Sequence, residues 1–269
     1  MRRAACRWAR GRSSSAPRGS AMRRAVSSET GRKSPGEAAI SSALRRASFF
    51  PGTSHGAGIG MKVVIFGATG QTGRLLTERA LSAGHEVTAF VRDPSRMSHS
   101  GRPVKIVQGD VLDSAAVDRA VAGQGAVLVA LGTATRGNPP VLPLGTRHIL
   151  DAMEKHRVTR VVVLSAAGAL REPAGTIVGG LGLALARAVI PRVYREHRGM
   201  LEEVRTRHLD WIAVRPVILT NGLRTGRYRV VAAGIPRGGY RISRADVADF
   251  MIQQLTSDAF VRKMPAIAN

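Results

Sequence analysis

The distribution of apolar and polar residues changes abruptly at Met61. From there to Asn269, short apolar runs alternate with longer segments in which apolar residues recur every three or four positions. The short runs predict strands and the periodic segments predict amphipathic helices. Before Met61 no sustained hydrophobic period occurs, and Arg, Ser, Gly and Ala dominate. The pattern therefore predicts one α/β domain at 61–269, preceded by a disordered basic extension at 1–60.

The order of the predicted elements indicates how the sheet is built. Nearly unbroken valine runs separated by helices are typical of a parallel sheet that is covered on both faces. We therefore expect a doubly wound parallel sheet in a single domain, with a small C-terminal region on the substrate side. The predicted strands are Lys62–Phe66, Glu86–Val91, Val104–Gln108, Ala126–Ala130, Arg160–Leu164 and Trp211–Val214, with a short strand at Tyr228–Val231 and an edge strand at Pro265–Ala268; the predicted helices are Thr72–Ala83, Ser114–Val121, Leu144–His156, Thr176–Ile190, Arg192–Arg207 and Ser243–Leu255.

The basic extension has three possible origins. It carries twelve Lys and Arg against two acids, a composition that fits an organellar transit peptide or a basic interaction arm. It also fits translated upstream sequence before a true start at Met61, which we favour because a strand pattern begins there at once. The single cysteine, Cys6, excludes a disulfide framework and a cysteine-based zinc site. A reducing, cytoplasmic location is expected, with organellar targeting by residues 1–60 left open.

Net charge and hydropathy limit the classes of molecule that this protein is expected to bind. The net charge is +23, of which residues 61–269 carry +13, and their basic residues are scattered between apolar runs. This favours a phosphate-bearing small molecule and does not favour nucleic acid. No apolar run is long enough to cross a membrane, and the nearest one, Thr176–Ile190, is interrupted by Arg187 and predicts a buried helix. Few long exposed apolar stretches are expected, which favours a monomer.

The strongest motif is a GxxGxxG loop between the first strand and the first helix. Gly67 permits the tight turn, Gly70 lets the backbone approach a pyrophosphate, and Gly73 lets the helix pack against the sheet. The pyrophosphate would lie on free N–H groups at the helix start. A strand, this loop and a helix together predict a Rossmann-type dinucleotide site rather than a structural turn. The expected binding residues of the loop are Gly67, Thr69, Gly70, Gln71, Thr72 and Gly73.

The residues after the second strand indicate which dinucleotide binds. A site specific for NAD places an acid there, to accept hydrogen bonds from the ribose hydroxyl. This chain has Arg92, followed by Asp93 and then Arg96. Because guanidinium groups match the geometry and charge of phosphate, Arg92 and Arg96 should hold the 2′-phosphate of NADP. The alternative is that the two arginines are ordinary surface residues and that Asp93 turns toward the ribose.

Five segments carry a family resemblance over residues 61–269. MKVVIFGATGQTG, AFVRDPSRM, VQGDVLD, VAGQGAVLVALGT and ISRADVADFM resemble the NmrA-like and biliverdin reductase B (flavin reductase) branch of the atypical short-chain dehydrogenases. The resemblance implies NADPH as cofactor. It also implies that Asp110 and Val111 border the adenine, that Leu131, Gly132 and Thr133 follow the ribose and nicotinamide, and that Pro216 and Val217 line the nicotinamide pocket.

Three residues are candidates for catalysis. Ser165 directly follows the fifth strand, where short-chain dehydrogenases carry their active-site serine; a helix-capping serine is the alternative. Tyr194 and Arg198 have the spacing of the YxxxK pair, although arginine is a poor substitute for lysine and a packing tyrosine is the alternative. His197 matches a histidine in the corresponding helix of the family, but we expect a solvated side chain. The histidines show no ligand spacing, so no metal site is expected.

Two departures from biliverdin reductase B concern the acceptor. Ala166 and Ile218 stand where that relative has a serine and a histidine, which puts biliverdin itself in doubt. Hydride transfer is unaffected, because the cofactor supplies that chemistry. The sequence therefore predicts an NADPH-dependent oxidoreductase of a flat conjugated acceptor such as a flavin, a quinone or a biliverdin-like molecule. The alternatives are a non-catalytic NADP-sensing regulator of the NmrA type and, on the fold alone, an RNA-binding or sugar-nucleotide-modifying relative.

Overall fold

The structure, a computed structural model, describes residues 60–97, 101–133, 140–170, 177–236 and 239–269. The predicted disorder of residues 1–59 lies outside the described residues. The described residues form ten strands and six α-helices. The strands are β1 (Lys62–Phe66), β2 (Glu86–Val91), β3 (Lys105–Gln108), β4 (Ala126–Val129), β5 (Arg160–Leu164), β6 (Asp210–Pro216), β7 (Ile218–Thr220), β8 (Arg229–Val231), β9 (Arg241–Ser243) and β10 (Ala266–Ala268).

The main sheet has the predicted Rossmann-type order. Eight strands follow one another as β3-β2-β1-β4-β5-β6-β10-β8, and all neighbours are parallel except β10 and β8. The chain leaves β3 at one edge and returns to the centre as β4, beside β1. Such a reversal opens a crevice at the carboxyl ends of β1 and β4, where open α/β sheets bind their ligands. A second, two-stranded sheet of β7 and β9 lies just beyond β6.

The helices begin and end where local chemistry requires. The carboxylate of Asp113 accepts from the backbone N–H groups of Ala115 and Ala116, and the hydroxyl of Ser243 accepts from the backbone N–H of Asp246, so both residues act as N-caps. The helices are α1 (Gln71–Ser82), α2 (Ser114–Val121), α3 (Val141–Lys155), α4 (Ile177–Val189), α5 (Pro191–Arg205) and α6 (Arg244–Gln253).

Side chains of β1 show how the sheet divides the core. Val63 and Ile65 belong to one buried cluster, and Val64 and Phe66 belong to the other. All four are fully buried because successive side chains of a strand point to opposite faces and helices cover both. Helices α1 and α6 cover the first face, and α2, α3 and α5 cover the second.

Two predicted elements differ from the structure. The C-terminal strand β10 is not at the edge, since it pairs with both β6 and β8 and its three residues are fully buried. The C-terminal part of α4 is not buried as predicted: Leu185, Val189 and Ile190 are 65%, 70% and 44% exposed. Apolar composition predicted burial there, but α4 contacts chiefly α5.

Helix α3 begins three residues before the predicted start at Leu144. Pro140 occupies the N-cap position and has no N–H group to lose, and Val141 starts the helix. The N–H of Leu142 donates to the buried carboxylate of Glu196 in α5, at 3.3 Å. The start of α3 is therefore set by a side chain 54 residues away along the chain, which the local pattern does not reveal.

Candidate dinucleotide and acceptor site

The glycine loop has the geometry that its sequence predicts. Gly67 has φ +84°, and a Cβ there would overlap the carbonyl oxygen of Ala130, the residue that follows β4. A Cβ on Gly73 would overlap the carbonyl of Gly67, with the carbonyl carbon 2.8 Å away. The Gly70 N–H closes the turn by donating to that same carbonyl at 3.0 Å. Gly67 and Gly73 are thus required by the fold itself, which brings the start of α1 against the sheet.

The start of α1 is suited to an anion. Gly70 is the N-cap, it is exposed, and no side chain of the described residues caps the helix there. The first turn contains no acid, so its N–H groups and the helix dipole face the crevice uncompensated. Gln71 is exposed, Thr69 is half-buried and Thr72 is buried, so the first two can approach a ligand and Thr72 mainly packs. These features fit a pyrophosphate.

Arg92 and Arg96 both reach the surface next to this loop. Arg92 directly follows β2, and Arg96 ends a short 3₁₀ turn, Pro94–Arg96; both side chains are exposed. Asp93 is committed to capping that turn: its carboxylate accepts from the Ser95 hydroxyl at 2.7 Å and from the Ser95 N–H at 3.0 Å. These two hydrogen bonds lower the pKa of Asp93. The Asp93 carboxylate is thereby held within its own turn, and Arg92 and Arg96 keep the end of β2 positively charged.

A third guanidinium, which the sequence reasoning missed, lies with them. Arg74 follows Gly73 in α1, is exposed, and donates from Nη2 to the carbonyl of Arg96 at 3.2 Å. The contact ties the first turn of α1 to the 3₁₀ turn that carries Arg96. Its position directly after the glycine motif is the signal that could have found it, once β1 and β2 are known to be neighbours.

The predicted adenine border is a packed corner of the fold. Asp110 is exposed and its carboxylate accepts from the Leu112 N–H at 2.9 Å, while Val111 is 5% exposed. Gly145 of α3 makes room for Val111, whose methyl groups would lie 2.8 Å from a Cβ there. The His148 ring Nδ1 lies 3.0 Å from the Val111 carbonyl. His148 thus helps to hold the loop in place, a role the sequence did not predict.

The two segments predicted to follow the nicotinamide lie at the carboxyl edge of the sheet. After β4, Leu131 and Thr133 are half-buried, whereas Gly132 is exposed, and a Cβ there would meet no atom of the described residues within 4 Å. After β6, the Pro216 carbonyl accepts from the N–H of Ala167 at 2.8 Å, and the Val217 N–H donates to Ile267 at 3.3 Å. Pro216 is therefore fixed beside the loop that carries Ser165.

Ser165 and His197 are brought together by β5 and α5. The Ser165 Oγ is 3.5 Å from the His197 Nδ1, and Ser165 is 4% exposed. Burial lowers the pKa of His197 to about 4, against an opposing effect of the Glu196 carboxylate. The imidazole is therefore neutral at ordinary pH and is not the solvated side chain that we expected. A neutral ring has one donor and one acceptor nitrogen, so the pair can hold or pass a proton at the Ser165 oxygen.

Tyr194 and Arg198 share a face of α5 without forming a YxxxK-like pair. The Arg198 Nε donates to the carbonyl of Ala169 at 3.3 Å, so its charge serves the loop after Ser165. Arg187 of α4 does the same, with Nε donating to Gly168 at 3.0 Å and Nη2 to Leu170 at 2.6 Å. Burial raises the pKa of Tyr194, and nearby Arg187 partly offsets this. Tyr194 is thus a poor proton donor beside a loop held by two arginines.

Glu196 was also missed by the sequence reasoning. It is 4% exposed, accepts from Arg192 Nε at 3.0 Å, and accepts from the start of α3. A buried carboxylate with these partners fixes α5 against α3 and so sets the height of His197 over Ser165. Within the part of the chain that the structure describes, no three His, Cys, Asp or Glu residues come together as metal ligands, and no helix has the length and apolar character to cross a membrane. Monomeric state and cytoplasmic location stay predictions.

Comparison with known proteins settles the class of cofactor. Residues 67–258 match the family described as NAD(P)H-binding, a span that starts at the first glycine of the loop and ends after α6. The chain belongs to the NAD(P)H-binding family. The predicted resemblance to NAD(P)-binding Rossmann proteins and the α/β fold class are confirmed.

The proteins that are similar to this chain include reductases. A (4-alkanoyl-5-oxo-2,5-dihydrofuran-3-yl)methyl phosphate reductase of Streptomyces griseus is 30% identical over 200 residues, which are 72% of this chain and 63% of that protein. The structure of ChuY, an anaerobillin reductase from Escherichia coli O157:H7, superposes with a TM-score of 0.64 at 23% identity and covers 77% of this chain and 96% of that chain. A Veillonella parvula short-chain dehydrogenase/reductase in complex with NADP gives 0.61 at 20% identity, with 78% and 94% covered. The last two show a shared fold.

Proposed function

We propose that this protein is an NADPH-dependent reductase whose acceptor is flat and conjugated, such as a flavin, a quinone or a biliverdin-like molecule. One observation carries the proposal: the Ser165–His197 pair lies at the carboxyl edge of the same sheet whose first turn forms the dinucleotide loop. Bound NADPH supplies a hydride at that edge. The protein must then bind, orient and protonate, and its residues are suited to each task.

Binding is assigned to the loop and the arginines. The N–H groups at the start of α1 take the pyrophosphate, and Arg92, Arg96 and Arg74 take the 2′-phosphate. Gly132, where a Cβ would meet none of the atoms that the structure describes within 4 Å, leaves space along the ribose and nicotinamide. Pro216 and Val217 close the other side. The cofactor-binding set proposed from the sequence is thereby extended by one residue, Arg74.

Orientation and protonation are assigned to Ser165, with His197 behind it. A proton that passes from the Ser165 hydroxyl to the acceptor would be replaced by the Nδ1 proton of His197, while Nε2 of the ring takes one from solvent, so that the imidazole ends neutral. The Ser165 hydroxyl can donate to an oxygen or nitrogen of the acceptor while the neutral imidazole donates to the Ser165 oxygen. Tyr194 has a raised pKa and lacks a lysine partner, so we assign it to packing around the pocket. The phosphate reductase of Streptomyces griseus and the anaerobillin reductase ChuY support a reductase of this general type.

The specificity for NADPH over NADH has a direct test. Isothermal titration of the full chain with each dinucleotide should give tighter binding of NADPH. Arg92→Ala and Arg96→Ala should each weaken NADPH binding about tenfold or more, because a charge-assisted hydrogen bond contributes about 1.5–3 kcal/mol, and should leave NADH unchanged. Tighter binding of NADH, or equal losses for both dinucleotides, would overturn the assignment to NADP.

The reductase activity is tested with the full chain, NADPH and a set of acceptors. Loss of the near-ultraviolet absorbance of reduced nicotinamide should depend on FMN, riboflavin, a naphthoquinone or biliverdin. A second candidate, an NADP-binding sensor without turnover, is favoured by one observation: Arg198, at the lysine position of YxxxK, is engaged with the Ala169 carbonyl. Tight NADPH binding without turnover of any acceptor would support the sensor and reject the reductase.

A further inference from the structure

The segment that follows β6 contains basic residues and no acidic ones. The segment Pro216–Ala245 contains six arginines and no acid. The next two acids, Asp246 and Asp249, are 0% and 2% exposed. Asp246 accepts from Thr225 and Ser243, and Asp249 is paired with Arg79 at 2.7 Å. Asp249 also pairs with one arginine of the segment, Arg224, at 3.4 Å, and neither carboxylate is in a salt bridge with Arg241 among the described residues.

One arginine of the segment lies next to exposed apolar side chains. Ile218 of β7, two residues beyond Pro216, is level with Arg241 of β9 in the parallel pair. Directly paired residues on neighbouring strands project from the same face, so their side chains lie side by side. Ile218 is 64% exposed, Arg241 is exposed, and Tyr240, whose carbonyl accepts from the Ile218 N–H at 3.1 Å, is 45% exposed. A guanidinium thus borders the exposed side chain of Ile218 at the edge where Pro216 ends β6.

The neighbouring arginines have structural contacts. Arg229 donates to the carbonyl of Asn269 at 2.6 Å, Arg244 donates to the side chain of Asn221 at 2.6 Å, and Arg224 lies 3.4 Å from the Asp249 carboxylate. The salt bridges among the described residues do not include Arg241. Its backbone is fixed on both sides, by pairing with β7 and by the Asn269 N–H, which donates to its carbonyl at 2.9 Å.

We propose that Arg241 binds an anionic group of the acceptor, so that the acceptor carries a carboxylate or phosphate beside its flat ring system. The inference rests on the proposed reductase function and adds the chemical class of its substrate. A guanidinium on a fixed strand presents a planar fork of donors that matches an oxyanion. The rings would lie on Ile218, which offers exposed apolar area two residues beyond Pro216. The hydride and proton transfers themselves are unchanged by this contact.

Matched acceptors test the inference. Riboflavin and FMN share one ring system and differ by a phosphate. A naphthoquinone and its carboxylate-substituted derivative likewise share one ring system and differ by a carboxylate. In the full chain, kcat/KM should be higher for the anionic member of each pair. Arg241→Ala should lower kcat/KM for the anionic member about tenfold, with KM carrying the change, and leave the neutral member unaffected. Rising ionic strength should reduce the preference, because exposed charges are screened.

Two further variants make the result specific. Arg241→Lys keeps the charge without the fork and should recover part of the loss. Arg102→Ala is the matched control, since Arg102 is an exposed arginine that donates to the Leu81 carbonyl away from this edge. It should leave both members of each pair unchanged. Melting curves of all variants check that the fold is intact.

The failure of this inference is distinguishable from the failure of the reductase proposal. If wild type reduces charged and neutral acceptors equally well, or if Arg241→Ala affects both equally, the anion subsite is wrong and the reductase stands. If NADPH binds and no acceptor is reduced, the reductase proposal is wrong. In that case, quenching of flavin fluorescence still compares FMN with riboflavin, and equal affinity, or binding of neither, overturns the anion subsite as well.

Discussion

The Oγ of Ser165 lies 3.5 Å from the Nδ1 of His197, although the two residues are 32 positions apart and one follows strand β5 while the other belongs to helix α5. The serine is buried and the imidazole is neutral, because burial holds the pKa of His197 near 4. The pair therefore offers a proton donor at the carboxyl edge of the sheet without placing a charge there. This is the part of the candidate site that depends most directly on tertiary structure.

Replacing Ser165 tests its assignment as the proton donor to the acceptor. Ser165→Ala should lower kcat about 10²-fold, the lower end of what a positioned acid or base contributes, and leave the NADPH dissociation constant unchanged. Steady-state kinetics and calorimetry measure the two quantities separately. An unchanged kcat would show that the reduced acceptor takes its proton from solvent and that Ser165 is structural.

The neutral His197 should make stability depend on pH. Its pKa is lower in the folded state, about 4, than its ordinary value of 6.5, so the unfolded chain binds more protons between these values. Stability is therefore full above about pH 6.5 and falls as the pH drops toward 4, by about 3 kcal/mol at most. Urea unfolding at a series of pH values measures the slope. His197→Gln should flatten it in this window; an unchanged slope would contradict the assignment to His197.

Two glycines of the site should respond differently to a methyl group. Gly73→Ala places a Cβ against the Gly67 carbonyl and should cost about 1–3 kcal/mol of unfolding free energy, as overpacking does. In Gly132→Ala the new methyl group meets no described atom within 4 Å, so stability should hold while NADPH affinity falls. In Gly182→Ala the methyl group likewise meets nothing within 4 Å in the described part of the chain, and that affinity should stay unchanged. Thermal melts and titrations distinguish the three; unchanged affinity in Gly132→Ala would remove Gly132 from the cofactor path.

Arg74 should act with Arg92 and Arg96 on the 2′-phosphate. Arg74→Ala removes one guanidinium and its hydrogen bond to the Arg96 carbonyl, and should raise the NADPH dissociation constant about tenfold. NADH binding should not change, because NADH lacks that phosphate. Arg102→Ala serves again as the exposed control. Equal weakening of both dinucleotides by Arg74→Ala would show that Arg74 supports the loop rather than the phosphate.

The ion pair between Arg79 of α1 and Asp249 of α6 should contribute to stability asymmetrically. Asp249 is 2% exposed, and Arg79 approaches it at 2.7 Å, whereas Arg224 is 3.4 Å away and 53% exposed. Arg79→Met leaves a buried carboxylate poorly compensated and should cost about 3 kcal/mol. Arg224→Met should cost well under half of that free energy of unfolding, because Asp249 keeps its ion pair with Arg79. Chemical denaturation of both variants measures the difference, and similar losses would contradict the asymmetry.

The sheet and its cofactor loop follow from local rules that the sequence displays. The valine runs fit strands buried on both faces, and Asp113 and Ser243 cap their helices as their side chains predict. Gly67 and Gly73 are needed where the chain turns off β1, whatever the ligand. Local elements of this kind depend on neighbours within a few residues, so their pattern survives in the sequence.

The tertiary structure decided what depends on distant neighbours. Glu196 sets the start of α3, Arg74 meets the carbonyl of Arg96, and Arg198 turns to Ala169, each by a contact between separate elements. The exposure of α4 and the interior place of β10 follow from which surfaces are covered, a property that apolar composition alone cannot report.

The sequence by itself determined the α/β fold, the dinucleotide loop and the basic end of β2, because periodicity and backbone-limited glycines are local physical constraints. Only the tertiary structure decided that His197 is neutral beside Ser165 and that Arg241 borders Ile218, because burial and proximity between distant segments arise when the sheet and its helices assemble.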